Sequence, residues 1–140
     1  AYVEAGLFNI SLADTAGHAH PEQVGHLFSE VRALDSRVEC TGHFHNTYGL
    51  GMANVMAALR AGVATFETSF AGLGGCAFTK VAAGNVATED LVNALQLQGL
   101  RDDVNLNRLI DIASDVAEFF GREMPGCVYK TGSIPERRSA

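Results

Sequence analysis

Val38-Glu39-Cys40-Thr41-Gly42-His43-Phe44-His45, running into Asn46-Thr47-Tyr48-Gly49, is the stretch that decides the reading of this 140-residue chain. Val38 to His45 has the composition of a strand that stops at a turn. Residues two apart on a strand face the same side, so His43 and His45 project together while Phe44 points away. Two neutral imidazoles on one face can ligate a divalent ion. An isolated pair of this kind is more often a hydrogen-bonded core or rim pair. Its place at a strand end, next to Asn46-Thr47-Tyr48-Gly49, moves the weight to the ligand reading.

Working outward, Leu7 to Leu12 is a short apolar run before the turn Ala13-Asp14-Thr15-Ala16-Gly17, and reads as a strand. His20-Pro21-Glu22 opens an amphipathic stretch to Leu34, with Val24, Leu27, Phe28, Val31 and Leu34 on one stripe and proline in the first turn. Helix signal returns from Met52 to Ala61 and stops at Gly62. Thr65 to Phe70 is rich in β-formers and leads into Ala71-Gly72-Leu73-Gly74-Gly75-Cys76. Thr88-Glu89-Asp90 starts a helix to about Leu97, and Asn105 or Asn107 caps another through Phe120. From Gly121 the periodicity is lost, which predicts a loop or arm. The order strand, helix, strand, helix, strand, helix with short connections predicts parallel strands and right-handed crossovers. Three such units do not close a barrel, which takes eight.

Composition sets the outer limits. Hydrophobic residues make up 47% and charged residues 19%, which suits a folded α/β protein and not a disordered one. The net charge of −6, with scattered Lys and Arg, argues against a nucleic-acid partner. No apolar run reaches the about 20 residues of a membrane helix, so no membrane partner is expected. Cys40, Cys76 and Cys127 are odd in number and lack CxxC spacing, a pattern that fits a reducing compartment and neither a disulfide framework nor a zinc knuckle. The cytoplasm, or the mitochondrial matrix in a eukaryote, is the expected location. The chain starts without Met in what reads as a helix end, and the expectation is a fragment.

Chemistry-bearing residues follow each predicted strand. In a parallel α/β sheet the strand C-termini share one edge, where active sites are built. Asp14 follows the first strand, His43 and His45 end the second, and Cys76 follows the third. Asp14 alone reads best as an Asx-turn or cap residue; beside a metal it becomes a candidate general base. Cys76 lies among glycines that let a loop move and approach a ligand, with a solvent loop as the equal alternative. Cys40 and Cys127 are assigned to packing and to the tail. His18, His20 and His26 read as surface or cap residues, with His18 or His20 able to line a site mouth.

These segments together carry a resemblance. Ile10-Ser11-Leu12-Ala13-Asp14-Thr15-Ala16-Gly17, Gly42-His43-Phe44-His45-Asn46-Thr47-Tyr48-Gly49, Ala71-Gly72-Leu73-Gly74-Gly75-Cys76 and Gly84-Asn85-Val86-Ala87-Thr88-Glu89-Asp90 resemble the 3-hydroxy-3-methylglutaryl-CoA lyase family, in order, from the start to about Asp90. The resemblance implies an α/β fold that is part of a TIM (β/α)8 barrel, its last three or so βα units, over residues 1–120, with a tail at 121–140. It implies cleavage of a 3-hydroxyacyl-CoA to acetyl-CoA and acetoacetate with a divalent metal, Mg2+ or Mn2+. His43, His45 and Asn85 are the implied metal ligands. Asp14 assists proton transfer at the substrate hydroxyl, with His43 also near the reacting centre. Cys76 handles protonation of the departing acetyl-CoA carbanion, and Glu89 is a supporting acidic residue, either structural or placed behind the ligands.

Where the family has Pro, an aromatic, Ala, any residue and Gly after the cysteine, this chain has Ala77-Phe78-Thr79-Lys80-Val81, which predicts a stiffer loop or a different acyl group. The family's early strand with an Arg and an Asp has no counterpart, so part of the site is expected here. The expected partners are an acyl-CoA substrate and either a second copy or the missing half-barrel. Rival readings are a related metal-dependent aldolase or homocitrate-synthase-like condensing enzyme, and a non-catalytic fragment that associates with another chain.

Overall fold

A computed structural model describes residues 1–76 and 84–134. The Ala77 to Val81 stretch and the end of the expected tail lie outside them. The described residues form two compact units, the first from Ala1–Thr68 and Gly74–Val86, the second from Ser69–Leu73 and Ala87 onward.

The first unit is a parallel sheet with two crossover helices. Strands β1 (Asn9–Asp14), β2 (Glu39–Phe44) and β3 (Thr65–Glu67) lie in that order, joined through helices α1 (Pro21–Arg32) and α2 (Gly51–Arg60). The expected α/β alternation and parallel strands, a partial TIM barrel, are therefore present. Proline sits in the first turn of α1, and the His20 side chain accepts from the Gln23 N–H at 3.4 Å, the cap role foreseen for it. Leu50 gives α2 no side-chain cap; instead Asn46 Oδ1 accepts from Gly51 N at 2.9 Å.

The core of this unit follows from alternation along β2. Cys40, Gly42 and Phe44 are buried while Thr41 and His43 are half-buried. Phe44 meets Phe28 of α1 edge to face, centroids 6.2 Å apart, with Val24 buried beside them on α1. Burying each ring contributes about 2 kcal/mol. Gly42 makes room for this layer: a Cβ there would lie 2.8 Å from the Phe44 ring and 3.1 Å from Phe66.

Two strands depart from the sequence expectation by more than one residue. β1 runs from Asn9 to Asp14 rather than from Leu7 to Leu12, because pairing with β2 begins where Asn9 faces Glu39. β3 ends at Glu67, not Phe70. Beyond it the 3-10 turn Phe70–Gly72 carries Ala71 at φ 54°, a left-handed backbone that no strand accommodates.

The second unit builds on that turn. Helices α3 (Thr88–Gln96), α4 (Leu106–Phe120) and α5 (Val128–Thr131) surround a small core of Ala71, Ala113 and Met124, with Leu73, Val116 and Tyr129 packed against it. Asn105 caps α4 by accepting from Arg108 N at 3.0 Å, and Gly121 ends it at φ 59°. The segment after Gly121 is a correction to the expected loop. Met124 is buried, Tyr129 Oη accepts from Met124 N at 2.8 Å, and the Asp90 carboxylate accepts from Cys127 N at 3.0 Å and Val128 N at 2.7 Å. Four residues are too few to show helical periodicity in a sequence.

Glu89, in the first turn of α3, is fully buried. Its Oε2 accepts from Ala71 N at 3.1 Å, and the Ala71 carbonyl accepts from Gly126 N at 2.9 Å. Left-handed alanine costs about 1 kcal/mol, so this turn stands because both its polar groups are bonded. Burial pushes the Glu89 carboxyl above its ordinary value, against the lowering effect of the Ala71 N–H.

A carboxyl whose folded pKa is raised contributes stability that is complete below its unfolded pKa and is lost as pH rises through the folded one. Relative to Glu89→Gln, the wild-type chain should therefore lose stability as pH climbs above the ordinary carboxyl range, read as the difference in urea midpoint across pH. A difference that is flat, or that grows with pH, contradicts the burial account. For Gly126→Ala, the added Cβ would lie 2.5 Å from Glu89 Oε1 and 3.1 Å from the Ala71 backbone. Overpacking of that kind costs about 1–3 kcal/mol, and thermal unfolding should show a lowered midpoint.

Candidate metal centre

β2 delivers the two histidines as its alternation dictates. The His43 and His45 rings are neighbours, centroids 5.1 Å apart and inclined at 64°, while Phe44 turns into the α1 layer. His45 is 5% exposed and buried in the first unit; the His43 side chain is 23% exposed. His43 Nδ1 lies 3.0 Å from Oε2 of Glu67, the end of β3.

Asn85 reaches the pair through backbone pairing. It forms an isolated antiparallel bridge with His45, flanked by Asn46 N to Gly84 O at 3.0 Å and Val86 N to Phe44 O at 3.1 Å. The chain after the glycine-rich segment is thus fastened across the end of β2, and Asn85 Oδ1 is buried there. Gly74 comes close to the same amide; at φ 129°, a Cβ would sit 2.7 Å from Asn85 Nδ2. Cys76 is half-buried at the end of that segment, the last residue described before position 84.

Asp14 is placed differently from the histidines. Register pairs Ala13 with His43 and Asp14 with Phe44, so Asp14 takes the α1 side of the sheet. It lines a cleft of about 340 Å³ there with Leu12, Val24, Leu27, Phe28 and Phe44. Its two oxygens accept from His18 N at 2.9 Å and Ala19 N at 3.0 Å. The turn-holding role weighed from the sequence is therefore occupied. Asp14 shares the strand-end edge with His43 and His45 but not their face. Glu89 belongs to the second unit, where its Oε2 serves the Ala71 turn.

Three further residues shape this edge, and the sequence reading did not single them out. Asn54 of α2 is fully buried and donates to Ala19 O at 2.9 Å, fixing the loop whose N–H groups hold Asp14. Thr47 packs on Gly17, whose Cβ position would be 2.9 Å from the threonine side chain. Glu67 meets His43 across strands. The rings of His18, a foreseen mouth residue, and Tyr48 lie 5.3 Å apart. His26 is exposed on α1. Of the other thiols, Cys40 is buried, which pushes its pKa up, and Cys127 is exposed.

The donor set fits a divalent ion in part. Among the described residues no three His, Cys, Asp or Glu side chains gather as a metal site. What the backbone brings to this edge is a pair of neighbouring imidazoles and, bridged to His45, Asn85. Two imidazoles and an amide oxygen would make about half of an octahedral shell, with chemistry suited to magnesium or manganese rather than to a closed thiolate zinc site. No helix among the described residues is long and apolar enough to cross a membrane.

Comparisons with known proteins bear on this arrangement. Hydroxymethylglutaryl-CoA lyase from Pseudomonas mevalonii is 41% identical over 118 residues, 84% of this chain and 39% of that protein. (R)-citramalyl-CoA lyase from Chloroflexus aurantiacus is 37% identical over 132 residues, 94% of this chain and 42% of that protein. An HMG-CoA lyase structure from Acinetobacter baumannii, in complex with coenzyme A and 3-methylmalate, superimposes with TM-score 0.89 at 40% identity, covering 99% of this chain and 46% of that one. The chain therefore spans less than half the length of each of these proteins. The HMGL-like family matches residues 1–116, and the chain belongs to that family.

Proposed function

We propose that this chain supplies the cation-binding half of a carbon–carbon lyase site that cleaves a 3-hydroxy-3-methylglutaryl-CoA-like thioester to acetyl-CoA and acetoacetate. The observation that carries the reading is the trio at the end of β2, with His43 and His45 on one face and Asn85 bridged to His45 by backbone pairing. His43, His45 and Asn85 would hold the divalent ion, leaving the rest of its shell to donors outside this chain and to substrate. A bound Mg2+ or Mn2+ supplies polarisation of the substrate oxygens and stabilisation of negative charge.

The remaining chemistry belongs to side chains. Cleavage requires the hydroxyl proton to leave as the C–C bond breaks toward the thioester, and the resulting enolate must gain a proton. Asp14 would assist the departure of the hydroxyl proton from the same sheet edge, since each of its oxygens accepts one backbone N–H and keeps a further lone pair. His43 would stand beside the reacting centre as a ligand of the ion. Cys76, on the glycine-rich segment, is the proton donor to the carbanion. The relative named as an (R)-citramalyl-CoA lyase matches more of this chain than the P. mevalonii enzyme does, 94% against 84%, and supports a second reading with another 3-hydroxyacyl group. In both, coenzyme A thioesters are the substrate class. A half-barrel partner, or a second copy, would cover β1 and its cleft.

Manganese titration of the purified chain tests the trio. The parent should bind, Asn85→Ala should weaken binding, and the His43→Ala/His45→Ala pair should lose it; equal binding by that double variant rejects the assignment. On thioester substrates the 140-residue chain alone should turn over orders of magnitude more slowly than when joined to the missing half, since cooperating catalytic groups are absent. Robust acetoacetate release from 3-hydroxy-3-methylglutaryl-CoA by the chain alone would overturn the half-site reading. Comparing that thioester with citramalyl-CoA in the completed enzyme decides between the two acyl groups.

A further inference from the structure

We infer that Glu67 is the positioning residue of His43, its carboxylate holding the imidazole proton on Nδ1 so that the Nε2 lone pair is presented to a cation. The inference rests on the metal-site reading above, and on a pairing that the fold itself creates.

Parallel register sets Thr41 against Thr65, Gly42 against Phe66 and His43 against Glu67. Residues paired in this way share a face of the sheet, so Glu67 is the cross-strand neighbour of His43 on the histidine side, opposite the phenylalanine layer. β3 stops at Glu67, which leaves the carboxylate at the strand-end edge beside the imidazole. Oε2 lies 3.0 Å from Nδ1. That nitrogen is buried, and among the described residues it makes no hydrogen bond of acceptable angle, to the Glu67 oxygen or to any other acceptor. The approach is close but not yet in line with a ring N–H, and the Glu67 side chain, 56% exposed, has the freedom to align.

The chemistry gives this contact its consequence. A neutral imidazole has one N–H and one lone pair, and a carboxylate beside one nitrogen fixes the proton there. In water the proton of a free imidazole prefers Nε2, the state in which only the buried Nδ1 could ligate. Glu67 reverses that preference. Carboxylates behind metal-bound imidazoles orient the ring and raise its basicity, and their loss typically weakens metal binding about 10- to 100-fold. A plain exposed ion pair with a protonated His43 is the competing account, and such pairs contribute little.

The test uses the 15N-labelled, metal-free 140-residue chain at a pH where its imidazoles are neutral. Long-range 1H–15N correlation reads each tautomer. The parent should show His43 protonated at Nδ1. Glu67→Leu should move the proton to Nε2, and Glu67→Gln, which keeps an acceptor oxygen, should largely preserve the parent state. Manganese affinity should fall about 10- to 100-fold in Glu67→Leu and less in Glu67→Gln. A parent His43 protonated at Nε2, or a tautomer unchanged by Glu67→Leu in a chain whose other amide signals keep their dispersion, overturns the inference. Failure of the parent to bind manganese with the Nδ1 tautomer intact sinks the metal reading while supporting the Glu67 contact.

Discussion

Side-chain alternation along β2 constrains everything else in the first unit. Phe44 enters the α1 layer against Phe28, and because it does, His43 and His45 are carried to the opposite face together. A slip of one residue in the pairing with β1 or β3 would exchange the two sets, burying imidazoles among phenylalanines. The apolar layer therefore fixes the orientation of the polar one, and the energy that does so is the ordinary burial of aromatic rings. Gly42 belongs to the same constraint, since only hydrogen fits between the Phe44 and Phe66 rings.

Much of this was legible in the sequence, and the reason is local. The two-residue spacing of His43 and His45 sits within one strand, so it survives any arrangement of neighbours. The stripe of α1 and the Asn105 cap are likewise written within a few residues. The ordered motifs gave the family, and with it Asn85, although the sequence contained no physical hint that residues 84–86 lie antiparallel across 44–46. What stayed hidden depends on register between segments. Asp14 stands at the expected edge, yet its face is set by pairing with Phe44, which no single strand reveals. Glu67 is hidden for the same cause: its meaning comes from standing opposite His43. The early end of β3 was invisible because Thr65 to Phe70 keeps its β-forming composition past the point where Ala71 turns left-handed.

The division of the described chain into two units also divides labour. Asp14, His43, His45, Cys76 and Asn85 all fall in the first, while Glu89 falls in the second. Glu89, which the motif marks as a supporting residue, holds the backbone of the turn that begins the Ala71 to Cys76 segment. A motif can thus mark a residue for what it does to the chain as well as for what it does to a ligand.

The first turn of α3 carries two anchors side by side. Glu89 ties down Ala71, and the next residue, Asp90, ties down Cys127 and Val128. Two anchors at neighbouring positions on one helix must point apart by the fixed rotation of that helix, about 100° per residue. Insertion or deletion of a single residue between Ala87 and Asp90 would swing both anchors off their targets at once. Length variation over evolutionary time should therefore be purged from this turn, and should accumulate instead in the exposed 97–103 connection between α3 and α4.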